Sequence, residues 1–263
     1  ETIVNAALER VAAGWRGGAD RAGFTLAVFH ELGGLYWVDR IERQAIRSKE
    51  IERLPQFRHS SIFDGLPLSA RRVNFVFGVG RTFRLAGVLI GSDKLGHFFS
   101  QGKKYYMSRL AGWREERILG RGIFNERWLF GQWTTSVYSN ADLVANYEGY
   151  LFYRSLFEDG VVPGKPAIVH FADARAEMAR PFSWSDHVND YWDEALNPSF
   201  MTPARARGTQ QAIRRVCPDY ERVPEAFQVR DEAALRARYS AIGLKPAPEN
   251  SVPAVCAAVV AAP

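Results

Sequence analysis

Cysteine is scarce in this chain, two residues in 263, which excludes a thiolate metal cluster and a disulfide-dense miniature scaffold. No apolar run approaches the roughly 20 residues that carry a helix across a bilayer, so no transmembrane segment is expected. Also missing are the Gly-x-Ser-x-Gly elbow of a serine hydrolase and any repeat at solenoid spacing. Gly78 and Gly80 form a Gly-x-Gly without a third glycine, so a nucleotide-binding loop is set aside. The basic excess is small, 34 Lys and Arg against 29 Asp and Glu, and it is spread along the chain. With no finger, RRM signature or basic arm, nucleic acid is not an expected partner.

What is present is a sizeable core: 47% of residues are hydrophobic and 13% aromatic. The net charge of +5, with a pI near 9.3, favours anionic partners, and an envelope polysaccharide or a lipid headgroup fits. A first residue Glu1 rather than methionine fits removal of a targeting segment. Cys217 and Cys256 lie in a proline-rich stretch that a single disulfide would tie down; two buried thiols are the alternative. A periplasmic or secreted protein is therefore expected, of a size that leaves the oligomeric state open.

Helical spacing dominates the pattern. Ile3 to Trp15 reads as a helix stopped by Gly17-Gly18, and Phe24 to Ile46 as a longer one bending at Gly33-Gly34. Residues 55–90 are irregular, with Val73 to Val79 either strand or helix. A helix capped by Ser92, with Asp93 in its first turn, runs toward Gly112. Another starts near Asn140 and stops at Asp159-Gly160, and Ser185 to Leu196 is read as a solvated acidic helix. The fold expected is mainly α: one helical domain over residues 1–200 and a loop-rich extension over 201–263 packed on it.

Two stretches carry candidate chemistry. In GSDKLGHFFSQGKKYY, Asp93, His97 and Gln101 fall four apart and project from nearly one face, while Leu95, Phe98, Phe99 and Tyr106 make the rest apolar. A carboxylate four residues before an imidazole can bind a metal or orient the ring; the plainer reading is an N-terminal acid beside a hydrogen-bonded core histidine. In SNADLVANYEGYLFY, Asp142, Asn146, Gly149 and Tyr153 line one face, and Gly149 permits close approach. Two polar stripes set in apolar surroundings would satisfy one another if the helices met face to face.

Asp93-Lys94-Leu95-Gly96-His97 followed by Asp142-Leu143-Val144-Ala145-Asn146-Tyr147-Glu148-Gly149 resembles the paired motifs of VanZ-like and YfiM-like envelope proteins. Glu126 and Gln132 stand where the VanZ-like pattern places a Glu and then a Gln, at different internal spacing. VanZ-like proteins are membrane-embedded and this chain has no spanning run. The resemblance implies a bacterial envelope setting, with a link to glycopeptide resistance for some members, and carries no established reaction.

Glu31, on a helical face with Ala27, Leu35 and Val38, is a candidate general acid, because an apolar setting raises a carboxyl pKa. Pairing with an arginine such as Arg40 or Arg72 is the alternative. The reading preferred from sequence is a hydrolase of glycosidic bonds, peptidoglycan strands above all, needing no cofactor and no metal. Glu31 would be the acid, Asp93 or Asp142 the base or nucleophile, and His97 and Asn146 the orienting groups. Lys94, Gln101, Lys104, Glu126, Trp133, Tyr138 and Glu148 would contact the substrate, with aromatic faces stacking on sugars. Two alternatives stand beside it. One is a metal-assisted phosphoester or lipid hydrolase using Asp93, His97 and Asp142; the other is a non-catalytic binding or scaffold protein whose polar helix pair is a satisfied core. His187, Asp190, Asp193 and Glu194 are the runner-up ligands.

Overall fold

The computed structural model describes residues 1–33, 40–48, 51, 82–128 and 136–260. Val73 to Val79 and Trp133 lie outside them. The chain is mainly α, as its periodicity predicts, and its contacts divide it into two compact units interleaved in sequence.

The first unit comprises residues 1–50, 92–118 and 145–188. Helices α1 (Thr2–Gly14) and α2 (Arg21–Leu32) pack on each other, and Asp20 caps α2 by accepting the Gly23 N–H at 2.9 Å. Helix α2 ends at Gly33 instead of continuing to Ile46, and α3 (Arg40–Arg47) is separate. The next helical rod is built from α4 (Asp93–Gly96), a π-helical turn (His97–Gln101) and α5 (Gly102–Leu110), closed by Gly112 at φ +82°. Ser92 does not cap it: its own backbone is already helical at φ −62° and ψ −27°, so its hydroxyl cannot reach back to the first turn.

Around this rod sits an aromatic core in which Phe98, Phe99, Phe152, Phe182 and Trp184 meet edge to face or tilted, with centroids 4.8–5.9 Å apart. The wider π turn lets the consecutive Phe98 and Phe99 both enter that core. The hairpin β4 (Val169–Ala172) and β5 (Arg175–Met178) lies against α1.

The second unit comprises residues 51–91, 119–144 and 189–263. Its hairpin β1 (Thr82–Leu85) and β2 (Val88–Gly91) turns through Ala86 and Gly87, both at positive φ, the geometry of a two-residue hairpin loop. Helix α6 spans Glu115–Trp128 and helix α7 spans Asn140–Ser155. Strands β3 (Val137–Tyr138) and β6 (Phe200–Met201) form a short antiparallel ladder. The C-terminal part consists of α8 (Pro203–Ile213), α9 (Cys217–Arg222), α10 (Glu232–Arg238) and α11 (Val252–Val260). The expected disulfide is present: Cys217 and Cys256 are bonded and sit among Ile213, Val252 and Val255.

The stretch from Ser185 to Leu196 is not the acidic helix expected. It forms two single 3₁₀ turns, Trp184–Asp186 and Asp190–Trp192, because the Asn189 side chain captures the Tyr191 N–H at 3.1 Å and diverts the backbone. Nor is it solvated throughout. His187 and Asp190 are buried, and Trp192 is fully so.

Candidate functional site

Helix α7 is started by two side chains that the sequence holds 13 residues apart. Ser139 accepts the Asp142 N–H on its hydroxyl at 3.2 Å, and Glu126 accepts the Ser139 N–H at 3.0 Å. Together they form a split capping box, with the acid supplied by α6. Glu126 is thereby buried in a structural task, as is Tyr138, whose hydroxyl donates to the Gly243 carbonyl at 2.7 Å. Burial, with Glu126 nearby, pushes the Tyr138 phenol up to about 12. Asp142 lies in the first turn of α7, where the helix dipole favours a carboxylate, and Asn146 follows one turn later on the same face.

The face of α7 beyond Asn146 meets the π turn backbone to backbone. A Cβ on Gly149 would overlap the Phe98 carbonyl, and one on Gly102 would overlap Gly149 itself. Tyr153 Oη donates to the Phe99 carbonyl at 3.1 Å. This proximity carries the side chains one turn earlier to each other: His97 Nδ1 lies 2.9 Å from Asn146 Oδ1. A carbonyl oxygen can only accept, so Nδ1 carries a proton, which in the neutral ring leaves the lone pair on Nε2.

Asp93, His97 and Asp142 then converge, each offering a ligand atom, with these atoms all within 4.8 Å of one another. All three are half-buried, within reach of solvent. Lys94, almost wholly buried, places its ammonium 2.8 Å from Asp93 Oδ2. Ligands about 2.1 Å from a common ion stand roughly 3 to 4 Å apart, so small side-chain rotations would close the triangle on a divalent cation. One imidazole and two carboxylates form a mostly oxygen donor set. It suits manganese or magnesium better than zinc, and three protein ligands leave positions for water and substrate.

The remaining sequence candidates fall elsewhere. Glu31 sits in the last turn of α2 on the exposed surface, where Arg10 donates to its Oε2 from Nη2 at 2.8 Å and Nε at 3.2 Å. The apolar face expected around it also needed Leu35 and Val38, which lie outside the described residues. Gln101 ends the π turn, and Lys104 is exposed on α5. Glu148 points away from Asn146, fully buried, with His187 Nδ1 at 3.1 Å and Phe98, Phe152 and Phe182 packed around the imidazole. That buried pair was not foreseen. Its signal lay in the spacing Ala141, Ala145, Glu148, Phe152, an apolar helical stripe interrupted by one acid. The π turn was also missed, and nothing in the local sequence distinguishes it from an α-helix. Comparisons with protein-family models, with curated proteins and with solved structures find no match.

Proposed function

We propose that this chain is a divalent-metal-dependent hydrolase of the bacterial cell envelope, periplasmic or secreted, acting on a phosphoester bond of an anionic substrate. The observation that carries this reading is the convergence of Asp93, His97 and Asp142. A cation held there would lower the pKa of a bound water and polarise a phosphoryl oxygen. Asn146 fixes the imidazole tautomer by accepting the Nδ1 proton, the kind of partner that ligating histidines depend on. Lys94, buried against Asp93, adds positive charge at the edge of the site. The disulfide and the net charge of +5 support an oxidising compartment and an anionic substrate.

The glycosidic reading loses its proton donor. Glu31 is paired with Arg10, Glu126 caps α7, and Glu148 is buried against His187. Two carboxylates close together suit a retaining glycosidase, but the imidazole beside them and the missing acid favour a cation.

Metal analysis of the purified chain, followed by hydrolysis of bis(4-nitrophenyl) phosphate with and without chelator, tests the proposal. Activity restored by manganese or magnesium after chelation, and lost in Asp142→Asn and His97→Ala, is the result expected. Release of reducing sugar from sacculi in the presence of chelator would overturn it in favour of glycan cleavage. Absence of both metal binding and product would leave a non-catalytic protein.

A further inference from the structure

Helix α6 is amphipathic in an unusual sense. Its inner side carries Ile118, Leu119 and Glu126, all buried. Its outer side would ordinarily be polar, yet Phe124 is 54% exposed and Trp128 46%. Scattered exposed apolar residues mean little, but these two are one helical turn apart on the same face. At about 100° per residue, Arg117, Arg121, Phe124 and Trp128 fall within an arc of about 60°, with Arg114 at its border. All of them are exposed. Arg117 lies over the Trp113 ring at 4.0 Å, and Arg127 lies beside Trp128 at 5.4 Å. The acids of this helix lie elsewhere: Glu115 and Glu116 fall outside the arc, and Glu126 is buried.

Arginines interleaved with a phenylalanine and a tryptophan combine two attractions on one strip. Guanidinium groups seek phosphate, and the two rings gain by leaving water. A convex helix face provides no groove to grip a polymer strand, whereas a flat surface meets the whole arc at once. Trp and Phe seated at headgroup depth, with Arg reaching the phosphates, is how an interfacial helix binds. We infer that the outer face of α6 docks on a bilayer containing anionic phospholipid, lying in the interface without crossing it.

The test is co-sedimentation of the full chain with vesicles of phosphatidylcholine alone and of phosphatidylcholine mixed with phosphatidylglycerol. Binding to the mixed vesicles only, weakened roughly fivefold by each of Arg117→Ala and Arg121→Ala, is expected. Phe124→Ala with Trp128→Ala should weaken it by roughly tenfold or more. Because those truncations could disturb folding, a second measurement uses Trp128→Phe. Brominated lipid should quench the wild-type tryptophan emission, and most of that quenching should vanish in Trp128→Phe while binding persists. Equal binding to both vesicles, no binding, or wild-type binding by the Phe124/Trp128 double variant would overturn the inference. So would dextran sulphate outcompeting the vesicles at equal charge, which would assign the face to a soluble polyanion.

Discussion

His97 Nδ1 and Asn146 Oδ1 lie 2.9 Å apart, a hydrogen bond between residues 49 positions distant that joins the two polar stripes. It sets which ring nitrogen holds the proton, and so which one can bind a cation.

Asn146→Ala should therefore weaken manganese binding by about 10- to 100-fold, the usual loss when a ligating histidine is deprived of its partner. Isothermal titration measures this directly. Asn146→Asp, which keeps an acceptor at the same place, should recover much of the affinity. Equal weakening by both variants would reduce Asn146 to a packing role.

Gly149→Ala should destabilise the fold by about 1 to 3 kcal/mol or more, since the new methyl group meets the Phe98 backbone, which cannot rotate away. Gly120→Ala on α6 is the matched control. Nothing lies within 4 Å of its added Cβ, and helix propensity should raise stability by about 1 kcal/mol. Denaturant titration of the pair distinguishes a close-approach glycine from a merely helical one.

Burial pushes the partly buried Asp193 carboxyl up to about 6, against the opposing Ala195 N–H bond. Between about pH 4 and 6 the folded chain thus holds a proton that the unfolded chain has released, and this contribution to stability falls as pH rises through that window. Asp193→Asn keeps the acceptor for Ala195 and removes the titration. It should stabilise the protein at neutral pH by about 1 to 3 kcal/mol and leave stability at pH 4 nearly unchanged. Neighbouring Asp190 behaves oppositely. Burial favours its neutral form, but hydrogen bonds and charge from Arg230 hold it below the usual carboxylate range, so its contribution is lost only in acid. Thermal melts across pH 3 to 8 separate the two.

Cys217 and Cys256 close a loop with a sequence separation of 39, for which chain entropy predicts about 4 kcal/mol of stabilisation. Reduction, or Cys217→Ser with Cys256→Ser, should lower the melting temperature. The loss should be accompanied by faster proteolysis within residues 217–256.

The helical class, the punctuation at Gly112, the pairing of the two cysteines and the two polar stripes could all be read from residue order, whereas the helix expected to run to Asp159-Gly160 ends at Ser155. Each depends on local periodicity, on backbone freedom or on the scarcity of a residue type. An arginine partner for Glu31 was among the readings, but its identity was out of reach, because Arg10 arrives from another helix. The acidic stretch around Asp190 was misread because charge alone suggests solvent, whereas Asn189 broke the helix and a guanidinium from residue 230 allowed the carboxylate to be buried. Spacing placed Asp93 and His97 on one face and Asp142 and Asn146 on another. Only the tertiary fold brought those faces together, since contact between helices far apart in sequence requires backbones able to approach, here at Gly102 and Gly149, and an aromatic core that holds them there.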